Sequence, residues 1–349
     1  MKVALRPKAV EAQHPEAFYQ GWRLVAIDGT QFSVSNTPQL LASLSKAASR
    51  RMKAAFAKVG VVLLVELGIH NPIAAVIAKE EESELALAKT LADSLLEGIL
   101  LIADRLYGVG AFVRLLVERF ASVPGHFLVR VRANLKARLV EHCGDGSALM
   151  EVKLAGRAGK LLIREVQGRV RRPGGQWVQV RFWTSLLDWK QYPASELLGL
   201  YVRRWEQELM YKELKVDMRQ AELVKSHTLE TAAQEIAALV LVHAILAQER
   251  LQVSALAKKE PLRISFGKTL RLVRSLWLVI AAADKVLSGE QKDAIVNEVL
   301  RFIAATALPR RRKRSCPRAV RQPVGSWPRL TKNTYSTGAS EYKLTPIRA

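Results

Sequence analysis

The 349-residue chain carries 54 Lys and Arg against 32 Asp and Glu, a net charge of +22, and 49% of its residues are apolar. That apolar share supports a substantial core and excludes wholesale disorder; so basic a chain points to a polyanionic partner, nucleic acid ahead of an anionic membrane surface or a ribosome. No run reaches the ~18 continuous apolar residues of a membrane span, the N-terminus lacks the apolar stretch of a secretion signal, and Cys143 and Cys316 stand in no metal-binding spacing, leaving two reduced thiols.

Residues 22–34, WRLVAIDGTQFSV, alternate and are β-prone, with Asp28-Gly29 inside the run. Two further β-rich runs, 58–68 and 73–78, are joined by the short IHNP turn, and the three together predict an antiparallel meander. Helical spacing follows over 79–98, with acids early and Gly98 as the stop. The apolar run ILLIADRLYG (99–108) contains Asp104 and predicts a buried central strand. A helix is expected over 110–121 and a strand over 126–136. From 137 the composition turns to Gly, Arg and Val with short β-like runs, read as a β-rich insertion (137–193). Helices return over 194–305. The basic, Pro-containing tail (306–349) is expected to be unfolded when free. The core is thus expected over 22–136 and 194–305, after a short lead (1–21).

The stretch YVRRWEQELMYKELK (201–215) has a further property. On a continuous helix, Tyr201, Arg204, Glu208 and Lys215 fall within roughly 60° of one another. One carboxylate would then sit among two cations and a phenol, with Val202, Trp205 and Leu209 packing inward. Taken alone, Glu208 reads as a solvated position paired at i,i+4 with Arg204 and Lys212. Asp104 alone reads as a helix N-cap. Asp188 and Glu222 are spare acids near the motif, read as structural.

Three strands, a helix and a buried strand is the element order of the ribonuclease H-like core. There an acid in the first strand lies beside one ending the fourth, here Asp28 and Asp104, and a later helix supplies a third, here Glu208. Three convergent carboxylates repel unless a cation neutralises them, and carboxylate oxygens suit Mg²⁺. The chain resembles the DDE transposases of bacterial insertion sequences, in the branch with the Y-x2-R-x3-E-x6-K signature. Tyr201, Arg204, Glu208 and Lys215 match with every spacing intact, and IDGT and ADRLYG resemble the other two acid blocks. The resemblance extends over roughly residues 20–330, through MRQAELVKSHTLETAAQEIAALVLVHAIL to the basic PRRRKRSCPR.

The resemblance implies an α/β fold: a ribonuclease H-like mixed sheet with flanking helices, a β-rich insertion between the second Asp and the Glu, and a helical C-terminal region. It implies Asp28, Asp104 and Glu208 as catalytic ligands of two Mg²⁺ ions, with Mn²⁺ able to substitute. Tyr201, Arg204 and Lys215 would bind DNA phosphates. The implied activity is cleavage at the element ends followed by strand transfer. The partners would be double-stranded DNA, as terminal inverted repeats and target, and a second copy in a paired-end dimer; the location would be the bacterial cytoplasm, at the nucleoid. Some family members flip a base onto a tryptophan, for which Trp183 and Trp177 stand in the insertion, with β-face packing as the other reading. Relatives carry a helical DNA-binding domain before the first Asp, whereas 27 residues precede Asp28 here. The expectation is a shortened variant or a fragment. A transposase-derived DNA-binding protein without catalysis, and a nuclease of the same fold without strand transfer, are the alternatives.

Overall fold

The computed structural model describes residues 1–46, 54–153, 159–171, 176–219, 223–308, 315–320, 329–337, 342–345 and 347; Glu222 lies outside them. Short strands β1 (Lys2–Ala4) and β2 (Phe18–Tyr19) precede β3 (Trp22–Ser33), which runs unbroken through Asp28-Gly29. Then come α1 (Pro38–Ser43), β4 (Lys58–Glu66) and β5 (Asn71–Ile77). Helix α2 (Glu84–Leu91) starts where the Ser83 side chain accepts from the Ala86 amide, an N-cap. A 3₁₀ turn over Ala92–Ser94 ends it short of the expected span, and β6 (Ile99–Ala103), α3 (Gly110–Ser122) and β7 (Gly125–Arg130) come next. The strand expected to reach 136 therefore stops at Arg130. The β-rich block contains β8 (Arg138–His142), β9 (Ala148–Val152), β10 (Leu161–Arg171) and β11 (Trp177–Thr184). After it stand α4 (Ala194–Arg203), α5 (Trp205–Lys212) and a π-helical turn, Glu213–Met218. Three long helices, α6 (Leu229–Ala257), α7 (Phe266–Ala282) and α8 (Gly289–Ala305), precede β12 (Ser315–Val320), which pairs antiparallel with β13 (Arg329–Thr337), and last comes β14 (Tyr342–Leu344).

The chain forms two compact units, each assembled from non-contiguous segments. The first comprises Met1–Ile102, Glu118–Gly125 and Arg204–Pro309. Its strands run in the order β1-β5-β4-β3-β6. The β3/β4 and β4/β5 pairs are the antiparallel meander, and Asp28 stands opposite Leu63. With β6 beside the first long strand, this is the ribonuclease H-like order. Strands β4 and β5 are buried along nearly their whole length, as their continuous apolar sequences require. Helix α6 has the length and hydropathy of a membrane span by composition alone. Here it is a core helix, burying Ile236, Val240, Leu246 and Val253, and packing with Phe266 and Val273 of α7 and Leu300 and Ile303 of α8.

The second unit comprises Ala103–Val117, His126–Arg203 and Arg310–Ala349. Its strand order is β7-β11-β10-β9-β8, in keeping with the β-rich reading of the insertion, and β14, from the tail expected to be unfolded, pairs with β10 because extended backbone can add to an open sheet edge. A buried ion pair anchors one end: Arg164 bonds Asp145, the Ser147 hydroxyl at 2.7 Å and the Tyr192 carbonyl at 2.7 Å. Asp145 also accepts from the Ala194 amide at 2.8 Å, fixing the first residue of α4.

Candidate active site

In the first unit the side chains of Asp28, Arg204 and Glu208 meet. Asp28 accepts from the Gly29 amide at 2.9 Å and from Arg204 Nη1 at 2.9 Å. The other guanidinium nitrogen, Nη2, bonds Glu208 Oε1 at 3.2 Å. One cation thus bridges two carboxylates, with the Asp28 and Arg204 side chains about five-sixths buried and Glu208 41% exposed. Lys212, expected beside Glu208, pairs with Asp217 at 2.9 Å instead.

Two buried polar side chains seat α5 on the rung of the sheet that carries Asp28. Tyr211 donates its hydroxyl hydrogen to the Asp28 carbonyl. Gln207 donates to the Leu63 carbonyl at 3.2 Å and to the Tyr211 hydroxyl at 3.1 Å, and Leu63 is the cross-strand partner of Asp28. Burial, then the Asp28 and Glu84 charges, push the Tyr211 phenol well above its ordinary value, so it stays a neutral donor. Gln207, Met210 and Tyr211 are therefore the inward face. That corrects the expectation for Trp205, which stands about 200° round the helix from Gln207 and is 47% exposed. Val202 and Leu209 are half-buried. The helix also breaks into two: Arg204, at φ −52° and ψ −28°, keeps helical dihedrals but separates α4 from α5.

Gly29 is approached closely by the Glu84 side chain. A β-carbon there would lie 2.1 Å from Glu84 Cδ, so the Glu84 side chain lies directly against the backbone next to Asp28.

Beneath α5 lies a buried charge network that sequence reasoning missed. His70, at φ +55°, bonds Glu213 at 3.1 Å through Nδ1 and Glu206 at 3.0 Å through Nε2. An imidazole donates from both nitrogens only when protonated. Burial alone would lower its pKa, but Glu213 and Glu206 raise it overall. Glu213 also accepts from His243 Nε2 at 3.0 Å and Arg250 Nη1 at 3.2 Å. Burial opposes its ionisation, yet Arg250 and His70 hold its carboxyl well below the usual range. The available signal was His243 and Arg250, seven residues apart on a largely apolar helix. That spacing puts two polar groups on one buried stripe.

Lys215, the signature lysine, lies in the same unit with its ammonium 5.5 Å from the Phe32 ring centre. Asp104 and Tyr201 belong to the second unit. Asp104 directly succeeds β6, and its Oδ1 accepts from the Leu106 amide at 2.6 Å, making a turn rather than the cap of α3. Tyr201 is buried, its ring 4.5 Å from that of Phe182. Trp183 is fully buried and donates to Glu165 at 2.8 Å, a packing role. Trp177 is 37% exposed with Lys343 over its ring. Asp188 accepts from the Lys190 and Gln191 amides, a structural turn.

Carboxylate oxygens from Asp28 and Glu208 are the hard donors that Mg²⁺ takes, and they already flank one positive charge, so they fit a divalent cation by donor type. Among the described residues no three His, Cys, Asp or Glu are grouped as a metal site.

A family model described as a transposase DDE domain matches residues 20–245. The transposase InsG of insertion sequence element IS4 from Escherichia coli (strain K12) is 25% identical over 332 residues, covering 92% of this chain and 73% of that protein. A cryo-EM structure of the piggyBac transposase synaptic complex with hairpin DNA aligns at a TM-score of 0.46 and 10% identity, covering 84% of this chain and 59% of that one. The chain thus spans less than two thirds of that structure's length.

Proposed function

The chain belongs to the DDE-domain transposase family, and on that premise we propose that it cleaves DNA at the ends of an insertion sequence and transfers the freed strand into target DNA. The observation that carries this reading is the bridge of Arg204 between Asp28 and Glu208, at 2.9 Å and 3.2 Å. Two of the three acids of the signature are held together by the signature arginine, which offsets their repulsion. Asp28, Glu208 and Asp104 are the ligands we assign to divalent metal, two Mg²⁺ ions. Bound there, the metal supplies charge neutralisation and Lewis acidity at the reacting phosphate. Arg204 offers a planar fork suited to a phosphate, and Lys215 a point charge; Tyr201 completes the set assigned to DNA. The partners we assign are double-stranded DNA, as terminal repeats and target, and a second copy of the chain, acting at the bacterial nucleoid.

The test is cleavage of a labelled duplex carrying the DNA ends that flank the gene, with Mg²⁺ or Ca²⁺, by wild type and Glu208→Ala. Cleavage that needs both Mg²⁺ and Glu208, with joined as well as cut products, is expected. Wild-type binding without cutting would instead support a DNA-binding derivative, and cutting without joining a nuclease.

A further inference from the structure

Beyond the signature residues, the first unit gathers three cations at the far end of the Asp28 strand. The Lys215 ammonium and the Arg219 guanidinium each lie 5.5 Å from the centre of the buried Phe32 ring. Lys58 opens β4 opposite Ser33, one rung beyond Phe32, and is exposed. Burial first, then the charges of Lys58 and Arg219, lower the Lys215 pKa, so the three groups feel one another. Of the nearby acids, Asp217 pairs with Lys212, and Glu235 accepts from the amides of Lys225 and Ser226 and the Ser226 hydroxyl while its charge partly offsets that of Arg219. Nη2 of Arg219 is buried with no hydrogen-bond partner among the described residues. A buried guanidinium nitrogen without an acceptor is costly, and the like charges of Lys58, Lys215 and Arg219 repel. An anion would relieve both.

We propose that Lys58, Lys215 and Arg219 form a binding site for a backbone phosphate of the DNA strand, adding Lys58 and Arg219 to the signature lysine. This rests on the transposase reading. Phe32 lies four residues from Asp28, on the same face of β3, about 14 Å along the strand at ~3.4 Å per residue. Phosphates on one strand of a duplex repeat every ~3.4 Å along the axis.

The test is the salt dependence of binding to a labelled duplex of arbitrary sequence, since phosphate contacts carry no sequence information. Wild type, Lys58→Ala and Arg219→Ala are compared, with Lys58→Arg and Arg219→Lys as charge-preserving controls. Each alanine variant is expected to reduce the slope of log K against log salt by about 0.9, the value of one lost phosphate contact, while each control keeps the wild-type slope. If wild type binds and both alanine variants share its slope, these cations hold no phosphate and this inference falls alone. If wild type does not bind the duplex at all, the transposase reading falls and takes the inference with it.

Discussion

Replacing Tyr211 with Phe removes one oxygen and little volume. In the folded state that oxygen gives its hydrogen to the Asp28 carbonyl and accepts from Gln207. Gln207 keeps the Leu63 carbonyl at 3.2 Å, so the main loss is the donor to Asp28, within a residue that is only 7% exposed. A buried acceptor left without a donor costs about 1–3 kcal/mol. For a unit of about 200 residues, each kcal/mol moves the melting temperature by about 2–4 °C. The expected fall for Tyr211→Phe, at the midpoint of about 2 kcal/mol, is therefore about 4–8 °C, read by circular dichroism. Cleavage should fall too, because Glu208 lies one turn from the lost anchor. A variant that melts within about 1 °C of wild type would refute the claim that this hydroxyl seats the Glu208 helix on the Asp28 rung.

The buried network predicts a pH profile with two limbs. Glu213 is depressed below its ordinary 4.5, so its stabilisation is present above that pH and lost as pH falls through the lower folded value. His70 is raised above its ordinary 6.5, so its stabilisation is full below 6.5 and is lost as pH rises through the higher folded value. Urea midpoints should therefore peak between the limbs. Glu213→Gln is expected to lower stability by about 3–5 kcal/mol and flatten the acid limb, and His70→Asn, which tolerates the left-handed backbone, to flatten the alkaline one. Gly29→Ala should destabilise by about 1–3 kcal/mol through the clash with Glu84, and Gly29→Ala with Glu84→Ala should recover most of it; additive losses would count against the contact. Arg204→Lys keeps the charge but not the fork that spans both acids, and single-turnover cleavage is expected to drop about 100-fold.

The strand through Asp28 was legible because LVAI and QFSV flank the Asp-Gly pair with alternating β-prone residues, and tertiary pairing to β4 confirms it. The β-rich character of the insertion was legible in composition. The inward face of α5 was not. Periodicity weighs Trp205 as apolar and Gln207 as polar, but Gln207 finds its partner in a strand carbonyl more than a hundred residues away. Glu213 and His70 escaped for the same reason: each is charged, and what permits its burial is a partner on another element. That Arg204 and Glu208 lie side by side was legible because their i,i+4 spacing is local to one helical segment.

The π-helical turn over Glu213–Met218 divides the signature into two registers. A π turn holds an extra residue relative to an α turn, and such turns act as single-residue insertions tolerated within a helix. Glu208 is phased by α-helical geometry, whereas Lys215 and Arg219 take their phase from the wider turn. The acid end and the cation end of this segment can thus be re-indexed independently. Deleting one residue within 213–218 would let the segment close as a plain α-helix and, because the wider turn already absorbs that residue, leave the phase of everything downstream nearly unchanged relative to Glu208. The six residues between the signature glutamate and lysine thus span a change of helical geometry, from the α-helix that carries Glu208 to the wider turn that carries Lys215.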